Sequence, residues 1–513
     1  MVAQAQLPFD YIEDNNNTKL TSHAGLPLYI EMALASGINE QIKNHLKIKH
    51  QGWSDEQIII SLILLNLAGG TCIDDIDALN SDEGLSIILL KAQTYGMKRK
   101  ERRAYEKRWR KGKNRSFPCI SALRRYLEIF HDKAEENKRV PGKAFIPKPN
   151  KNLKGLANIG RVLLEFAQRH HPCDTATLDQ DATLSATHKS TAYYCYEKYK
   201  AYQPFNTYWH EQGLLVGSEF RDGNVPAGFE QLRMLEESLE NLPEGVKKVY
   251  VRSDSAGYQQ NILNYCAQGK SKRFGIIDFA ISVRSSQSFK AAVLAVTEKD
   301  WNPIYKEDNG QRIKTDQEWA EVCFVPAWTV KRKDSPVYRY IAIREKMIVQ
   351  ETLEGIEPIQ QELPFQTLSI NQKHYKIFGL VTNRDIPGND LINWHRKRCG
   401  DSEKVHSIEK TDLAGGQFPS KYFGANAAWW QIMVMSFNLN VLMKLLVFPK
   451  ALKTKKMKAI RLHLINVAGR IIQHSRKLFM KVAGGSEMLD RVCDIRARIK
   501  ALSKPPPALK HTN

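Results

Sequence analysis

Hydrophobic and polar residues repeat at helical spacing near the start of the chain and in short, strand-length runs further on. Residues 54–57, SDEQ, form a capping box that begins an apolar helix (IIISLILLNLA), and Gly69 and Gly70 end it. Apolar runs of strand length follow at 176–184, 214–220, 248–252 and 273–281, with a helical run at 228–242. Strands that alternate with a helix predict an α/β sheet after a mainly helical N-terminal region.

The net charge of the chain indicates what kind of partner it binds. The 513 residues include 76 Lys and Arg against 55 Asp and Glu, a formal net charge of +21. Such an excess predicts a polyanionic partner, with nucleic acid favoured over an anionic membrane surface. The densest run, MKRKERRAYEKRWRKGKNRS at 97–116, repels itself unless a polyanion lies against it. We interpret it as a phosphate-binding arm, with a solvated helix face as the alternative; its candidate contacts are Lys98, Arg99, Arg102, Arg103, Arg108 and Arg110.

Other patterns argue against a secreted or membrane-spanning protein. The N-terminus has no basic stretch followed by an apolar run, so no secretory signal is expected. The apolar stretch 58–68 is too short to span a bilayer, and 425–448 carries Asn, Gln and Lys, so both are predicted to be buried core helices. The eight cysteines are scattered without a zinc-binding pair, which favours reduced thiols in a cytoplasm.

Acidic residues stand out at three places along the chain, in strand and helix contexts. Asp179 and Asp181, in TLDQDATLSATHK, share one face of a predicted strand because side chains two apart point the same way. Asp254, in VYVRSDSAGY, ends another strand just before small residues, where α/β sheets present functional groups; an N-cap is its structural alternative. Glu403, in WHRKRCGDSEKVHSIEK, lies two helical turns before Lys410, although an ordinary charged surface helix explains that motif better when it is taken alone.

A group of carboxylates in a basic chain predicts a divalent cation. Close carboxylates repel each other, and a hard cation such as Mg²⁺ neutralises them through oxygen ligands. Two such ions can activate a water or a 3′-hydroxyl and stabilise the leaving oxygen in an in-line displacement at phosphorus. The sequence therefore predicts phosphoryl-transfer chemistry with one or both of Asp179 and Asp181 as metal ligands.

Taken in order, these motifs resemble the insertion-sequence DDE transposases, whose RNase H-like catalytic domain carries a β-rich insertion. The resemblance covers about 53–481 and rests on LAGGTCIDDIDALNSDEGL, LDQDAT, GLLVGSEFRDGNVP, VRSDSAGY, SEKVHSIEK, FGANAAWW and AGRIIQHSRKLFMK. It implies that Asp181, Asp254 and Glu403 are the catalytic acids that hold two Mg²⁺ ions, for which Mn²⁺ would substitute. Asp179 is then a neighbour and a further candidate ligand, and Lys410 is a phosphate contact.

One position departs from the pattern of that family. Its members place Tyr seven residues and Arg four residues before the glutamate, where this chain has Arg396 and Cys399. Arg398, five residues before Glu403, lies about 140° away around a continuous helix. We expect Gly400 to break the helix and bring Arg398 back to the phosphate, with Arg396 as the alternative.

The resemblance also implies an activity, partners and a domain plan. We expect a transposase that binds the terminal inverted repeats of its element in double-stranded DNA, cuts the ends and transfers the 3′ ends to target DNA. It would act as a homodimer, without a membrane partner, in the bacterial cytoplasm and on the nucleoid. The alternatives are an RNase H-like nuclease without strand transfer and a catalytically silent DNA-binding protein. In hairpin-forming relatives an aromatic residue stacks on a flipped base, for which the candidates here are Trp301, Trp319 and Trp328.

Five regions are predicted along the chain. They are a helical, basic DNA-binding region (1–150), the first part of the RNase H-like core (151–281), a β-rich insertion (282–380), the second part of the core with the glutamate helix (381–450) and a basic helical C-terminal region (451–513). Residues 139–154, RVPGKAFIPKPNKNLK, are predicted to be a linker. Apolar residues at helical spacing predict an amphipathic helix in KTKKMKAIRLHLINVAGRIIQHSRKLFMK.

Overall fold

The N-terminal region is helical, as its apolar spacing predicts. A computed structural model describes residues 19–111, 115–308, 310–330, 336–347, 367–370, 373–474 and 477–503. After a short strand, β1 (Leu20–Thr21), the helices are α1 (Leu26–Ser36), α2 (Ile38–His45), α3 (Asp55–Ala68), α4 (Ile76–Asn80), α5 (Glu83–Gln93), α6 (Arg99–Lys111), α7 (Ile120–Glu128), α8 (Lys133–Glu136), α9 (Lys151–Ile159) and α10 (Arg161–His170).

The limits of α3 follow from its local sequence. The Ser54 hydroxyl accepts a hydrogen bond from the Gln57 backbone N–H, and the Gln57 side chain accepts one from the Ser54 N–H, which confirms the capping box. Gly69 ends the helix in the left-handed region, with φ 106°. Nearly every side chain of α3 is buried, so the apolar run confirms the predicted core helix.

The core of the molecule is built around one long helix, α16 (Phe423–Leu442), against which α3 packs. Together with the turn that follows it, α16 is long and apolar enough to cross a membrane, but most of its side chains are buried inside the protein. Its polar groups are paired, as buried amides must be. Asn438 exchanges hydrogen bonds with the backbone of Leu215, and Asn440 accepts one from the Tyr29 hydroxyl. The prediction of a buried core helix is confirmed.

A mixed ten-stranded sheet forms the centre of the chain. Its core strands are β2 (Thr175–Ala182), β6 (Phe205–Trp209), β7 (Leu214–Glu219), β8 (Lys248–Ser253) and β9 (Asp278–Ser282), while β3 (Ser185–Ala186), β4 (Tyr193–Tyr194) and β5 (Lys200–Tyr202) form a small separate sheet. Strands β2, β6 and β7 are antiparallel, and β2, β8 and β9 are parallel. Helices α11 (Gln231–Asn241) and α12 (Gln260–Ala267) lie along these strands. This mixed sheet flanked by helices confirms the predicted RNase H-like architecture.

The β-rich block extends the same sheet. Strand β14 (Lys373–Thr382) pairs with β9, and the sheet continues through β12 (Arg339–Lys346), β11 (Gln311–Glu321) and β10 (Asn302–Asp308). The elements of the block are α13 (Gln287–Leu294), β10 (Asn302–Asp308), β11 (Gln311–Glu321), α14 (Ala327–Val330), β12 (Arg339–Lys346), β13 (Thr367–Ile370) and β14 (Lys373–Thr382). Residues 348–366 of the predicted insertion lie outside the described residues. After this block α15 (Gly388–Ser407) packs across β2, β8 and β9.

The C-terminal region combines helices with a β-hairpin. Its elements are α17 (Lys450–Lys453), α18 (Met457–Ile460), β15 (Gly469–His474), β16 (Lys477–Val482) and α19 (Gly485–Leu502). Strand β15 also pairs with β1, so the hairpin of the C-terminal region joins the first strand of the described chain. The prediction of one amphipathic helix in this basic segment is therefore wrong. From Gly469 onward exposed and less exposed residues alternate with a period of two, which suits a strand.

Candidate active site

Asp181 and Asp254 lie side by side where two parallel strands end. In the register of β2 and β8, Gln180 pairs with Ser253, so the two aspartates are the next pair along. Both line one open cleft of about 600 Å³. Burial raises the pKa of each carboxyl group, and the charge of Asp181 raises that of Asp254 further. Two close, partly desolvated carboxylates favour a divalent cation, because it relieves both the repulsion and the loss of water.

Helix α15 supplies the groups that contact Asp181. The Arg398 Nη1 lies 3.3 Å from Asp181 Oδ2, and the Ser402 hydroxyl donates a hydrogen bond to the same carboxylate. The Arg398 Nε is buried and, among the described residues, has no hydrogen-bond partner. One donor of this buried guanidinium therefore lacks an acceptor within the described part of the chain.

Helix α15 is continuous, and it gives Arg398 and Arg396 different partners. The helix runs without interruption through Gly400, so the predicted break there is wrong; the glycine has open space around it and helical backbone is accessible to it. Arg398 reaches Asp181 directly from the continuous helix. Arg396 instead donates to the Gln317 side chain on β11, away from the aspartates. The geometry favours Arg398 as the basic residue of this site.

Glu403 is not brought to the aspartates. Its side chain is exposed on α15, one residue beyond Ser402 and so about 100° around the helix. Within the described residues it forms no hydrogen bond or ion pair with Asp181 or Asp254. The structure therefore unites two of the three predicted acids, and the role of Glu403 stays a prediction.

A different glutamate, which sequence reasoning missed, is buried behind Asp181. Glu409 is fully buried in a π-helical turn, Ile408–Asp412, that follows α15. The Asn206 Nδ2 donates to both carboxylate oxygens at 2.8 and 3.0 Å, and Asn206 lies opposite Asp181 in the β2–β6 pair. Burial raises the pKa of Glu409 to about 8, although the Asn206 hydrogen bonds lower it. No local signal marks this residue, since its neighbours in SIEK resemble an exposed helix end.

Lys410, the predicted phosphate contact, lies at the end of the first acidic strand. Its Nζ donates to the Leu184 carbonyl at 3.3 Å, two residues beyond the end of β2. The side chain is half-buried. The ammonium group therefore lies near the carboxyl end of β2, where it contacts the chain segment that follows Asp181.

Asp179 has a different partner from Asp181. Both of its oxygens accept hydrogen bonds from the Arg252 guanidinium, at 2.6 and 2.7 Å, and the pair is fully buried. Arg252 also donates to the Trp394 carbonyl of α15, so the pair ties β2, β8 and α15 together. The ligand atoms of Asp179, His210 and Asp401 lie within 4.8 Å of one another, a spacing that suits a metal ion. The Arg252 charge opposes a cation at that position.

The Arg-x-Gly-Asn sequence at 221–224, within GLLVGSEFRDGNVP, holds the linker (139–154) against the sheet. Asp222 accepts two hydrogen bonds from the buried Arg139 guanidinium at 2.6 and 2.7 Å, and Asn224 donates to the carbonyls of Val140 and Lys143. A Cβ on Gly223 would lie 2.5 Å from the Ala201 carbonyl oxygen, so the close approach requires glycine. The motif fixes where the linker passes one side of the cleft.

The basic arm is an exposed helix anchored by its two aromatic residues. No residue of α6 is buried. The Tyr105 hydroxyl donates to Gln93 at 2.9 Å, and the Trp109 Nε1 donates to Ser116 at 2.9 Å. The predicted contacts Lys98, Arg99, Arg103, Arg108 and Arg110 are exposed, and Arg102 is half-buried. The arm therefore presents its cations to solvent from an attached helix.

Comparison with known proteins identifies the family. A search of curated proteins found no match to the chain. The model of the family described as transposase DDE domain group 1 matches residues 13–504, nearly the whole chain. Enzymes of this family depend on a divalent metal and act on DNA, which accords with two adjacent carboxylates in a basic protein. The chain therefore belongs to the DDE transposases of insertion-sequence type.

Proposed function

We propose that this transposase binds the terminal inverted repeats of its own element, cuts at the ends and transfers the 3′ ends to target DNA. The observation that supports this best is the juxtaposition of Asp181 and Asp254 at the ends of neighbouring parallel strands, in an open cleft. Carboxylate oxygens are the ligands that Mg²⁺ prefers, and Mn²⁺ accepts the same donors. A pair of such ions would supply an activated nucleophile and a stabilised leaving oxygen at the scissile phosphate.

The side chains around Asp181 and Asp254 have separate roles in this proposal. Arg398 holds Asp181 in place through its Nη1 and brings a positive charge to the position proposed for the scissile phosphate. Lys410 is a second phosphate contact beyond the end of β2. Asp179 keeps Arg252 neutralised and so aligns the two strands, rather than binding an ion itself.

The third acid of the site is Glu403 in this proposal. Glu409 is the only other acid that the described part of the chain places both behind Asp181 and fully buried, but both its oxygens already accept from Asn206. Glu403 is exposed on α15, the helix whose Arg398 and Ser402 contact Asp181, and in this proposal it turns toward the two aspartates when DNA and metal bind.

The partner is double-stranded DNA, held outside the cleft by the basic arm. The exposed cations along α6 have the charge that a phosphate backbone attracts, and their contacts would be independent of sequence. We further propose that two copies join the two element ends as a homodimer, and that the enzyme works on the nucleoid in a bacterial cytoplasm. A membrane has no role in this proposal.

Incubation with a labelled element end and Mg²⁺ or Mn²⁺ tests the activity. Wild type should cut the end and join it to a target plasmid, whereas cleavage without joining would reduce the proposal to a nuclease. The Asp254→Ala variant should bind the end with unchanged affinity and cut no DNA. Asp385→Ala, which removes an exposed acid outside the cleft, is the matched control and should cut as wild type does. Normal cutting by Asp254→Ala would refute the site.

A further inference from the structure

The cleft beside Asp181 and Asp254 has an aromatic wall that the roles above do not use. Tyr194 and Tyr196 line it, and these side chains are 63% and 75% exposed. Most exposed large side chains in a protein are scattered singly. Two exposed rings on the wall of one cleft instead form a surface suited to a flat, partly apolar group.

The hairpin that carries these tyrosines is held in a defined shape. Strand β4 pairs with β5, and its turn is closed by hydrogen bonds from the Cys195 N–H to the Tyr199 carbonyl and from the Lys198 N–H to the Cys195 carbonyl, at 2.9 and 3.0 Å. Tyr193 points inward, where its hydroxyl donates to the Arg139 carbonyl at 3.0 Å. Because neighbouring strand residues point to opposite faces, Tyr194 is directed outward.

Tyr196 lies beside one of the two acids. Burial and the neighbouring Glu197 raise the pKa of its phenol, and the Asp254 carboxylate adds to that effect. A phosphate positioned at Asp181 and Asp254 would therefore have this ring next to it. A nucleotide next to that phosphate would then lie along the same wall.

The tryptophans that the sequence suggested for base stacking are engaged elsewhere. Trp301 is buried beneath the Arg344 guanidinium, which lies 4.2 Å from its ring centre. Trp319 packs on the backbone of Gly388, where a Cβ would lie 2.3 Å from the indole. Trp328 packs against Tyr258, with ring centres 5.0 Å apart. The two cleft tyrosines are better placed for a base.

We propose that Tyr194 and Tyr196 form a stacking platform for the base of a nucleotide next to the scissile phosphate. This inference rests on the proposed function, since it requires a DNA end in the cleft. Stacking suits the site because every base has a π face, so the platform holds a base without reading its identity. Fixing the base also fixes its phosphate against the acids, which contributes to catalysis by positioning.

An abasic scan of the DNA end tests the platform. Single-turnover cleavage would be measured on ends that lack one base at a time on either side of the cut, with wild type, Tyr196→Ala and the double variant Tyr194→Ala/Tyr196→Ala. Loss of stacking should slow wild type about 5- to 150-fold at one position. On intact DNA the double variant should be slower by a similar factor, and removal of that base should slow it no further. Tyr196→Phe, which keeps the ring, should behave as wild type.

Tyr199→Ala provides the matched control. Tyr199 lies on the same hairpin but does not line the cleft, so its replacement tests damage to the hairpin alone. If Tyr199→Ala slows cleavage as much as the double variant does, or if all proteins are slowed equally at every abasic position, the platform is refuted while the proposed function stands. If wild type cuts no end with either metal, the proposed function fails and the platform fails with it.

Discussion

Replacing Glu409 by Gln should change how the stability of the protein depends on pH. The carboxyl group is fully buried with its pKa raised from 4.5 to about 8, so between these values it is ionised in the unfolded chain and neutral in the folded protein. A raised folded-state pKa contributes stability that is complete below the unfolded value and is lost as the pH rises to the folded value. The free energy of unfolding should therefore fall through this window by up to about 1.4 kcal/mol per pH unit, or roughly 2.5 kcal/mol from about pH 5.5 to about pH 7.5.

Urea unfolding of wild type and variant at those two pH values isolates this contribution. Other groups titrate in both proteins, so their effects cancel in the difference between the two pH dependences. The variant also has a weaker interaction with Asn206, because the new amide places a donor beside the Asn206 Nδ2. That cost is the same at both pH values and does not enter the comparison.

Glu403→Gln is the control for this measurement. It makes the same chemical change six residues earlier, at an exposed side chain, and should leave the pH dependence unchanged. The reasoning would be refuted if the pH dependence of Glu409→Gln stayed within about 0.5 kcal/mol of that of wild type, since burial of an ionisable group would then carry no proton linkage.

Three further outcomes follow from the site and the arm. Arg252→Met leaves the buried Asp179 charge unpaired and should lower the free energy of unfolding by about 3–5 kcal/mol in urea, an effect that a Met at an exposed arginine would not produce. Arg398→Gln should slow single-turnover cleavage by about tenfold or more while DNA affinity in a filter-binding assay changes little, because it removes one charge-assisted hydrogen bond to the phosphate at the cut; equal reductions in both assays would contradict this. Changing Arg103 and Arg108 of the arm to Gln should reduce the slope of log affinity against log salt by about 0.9 for each phosphate that is no longer neutralised, and an unchanged slope would place the DNA elsewhere.

Local sequence pattern was sufficient to predict several elements of the fold and the two aspartates of the site. The capping box of α3 and its glycine stop are short-range features, which is why their prediction is confirmed. The sequence placed Asp181 within one strand and Asp254 at the end of another, and strand pairing brought the two together. The C-terminal hairpin was missed because helical and strand periods are hard to separate in a short basic segment that is mostly exposed.

Tertiary structure decided which partner each charged side chain contacts. Asp179 and Asp181 share a strand and a residue type, yet only Asp179 faces the Arg252 guanidinium, a partner 73 residues away in the chain. Glu409 is buried because a π-helical turn directs it at Asn206, and Arg398 rather than Arg396 reaches Asp181 because of the helix face it occupies. Sequence by itself determined the hydrophobic periodicity of the elements, the helix caps and which acidic and basic residues are present. Their pairing depended on contacts between distant segments, because the energy of a charge is set by the groups and the burial around it.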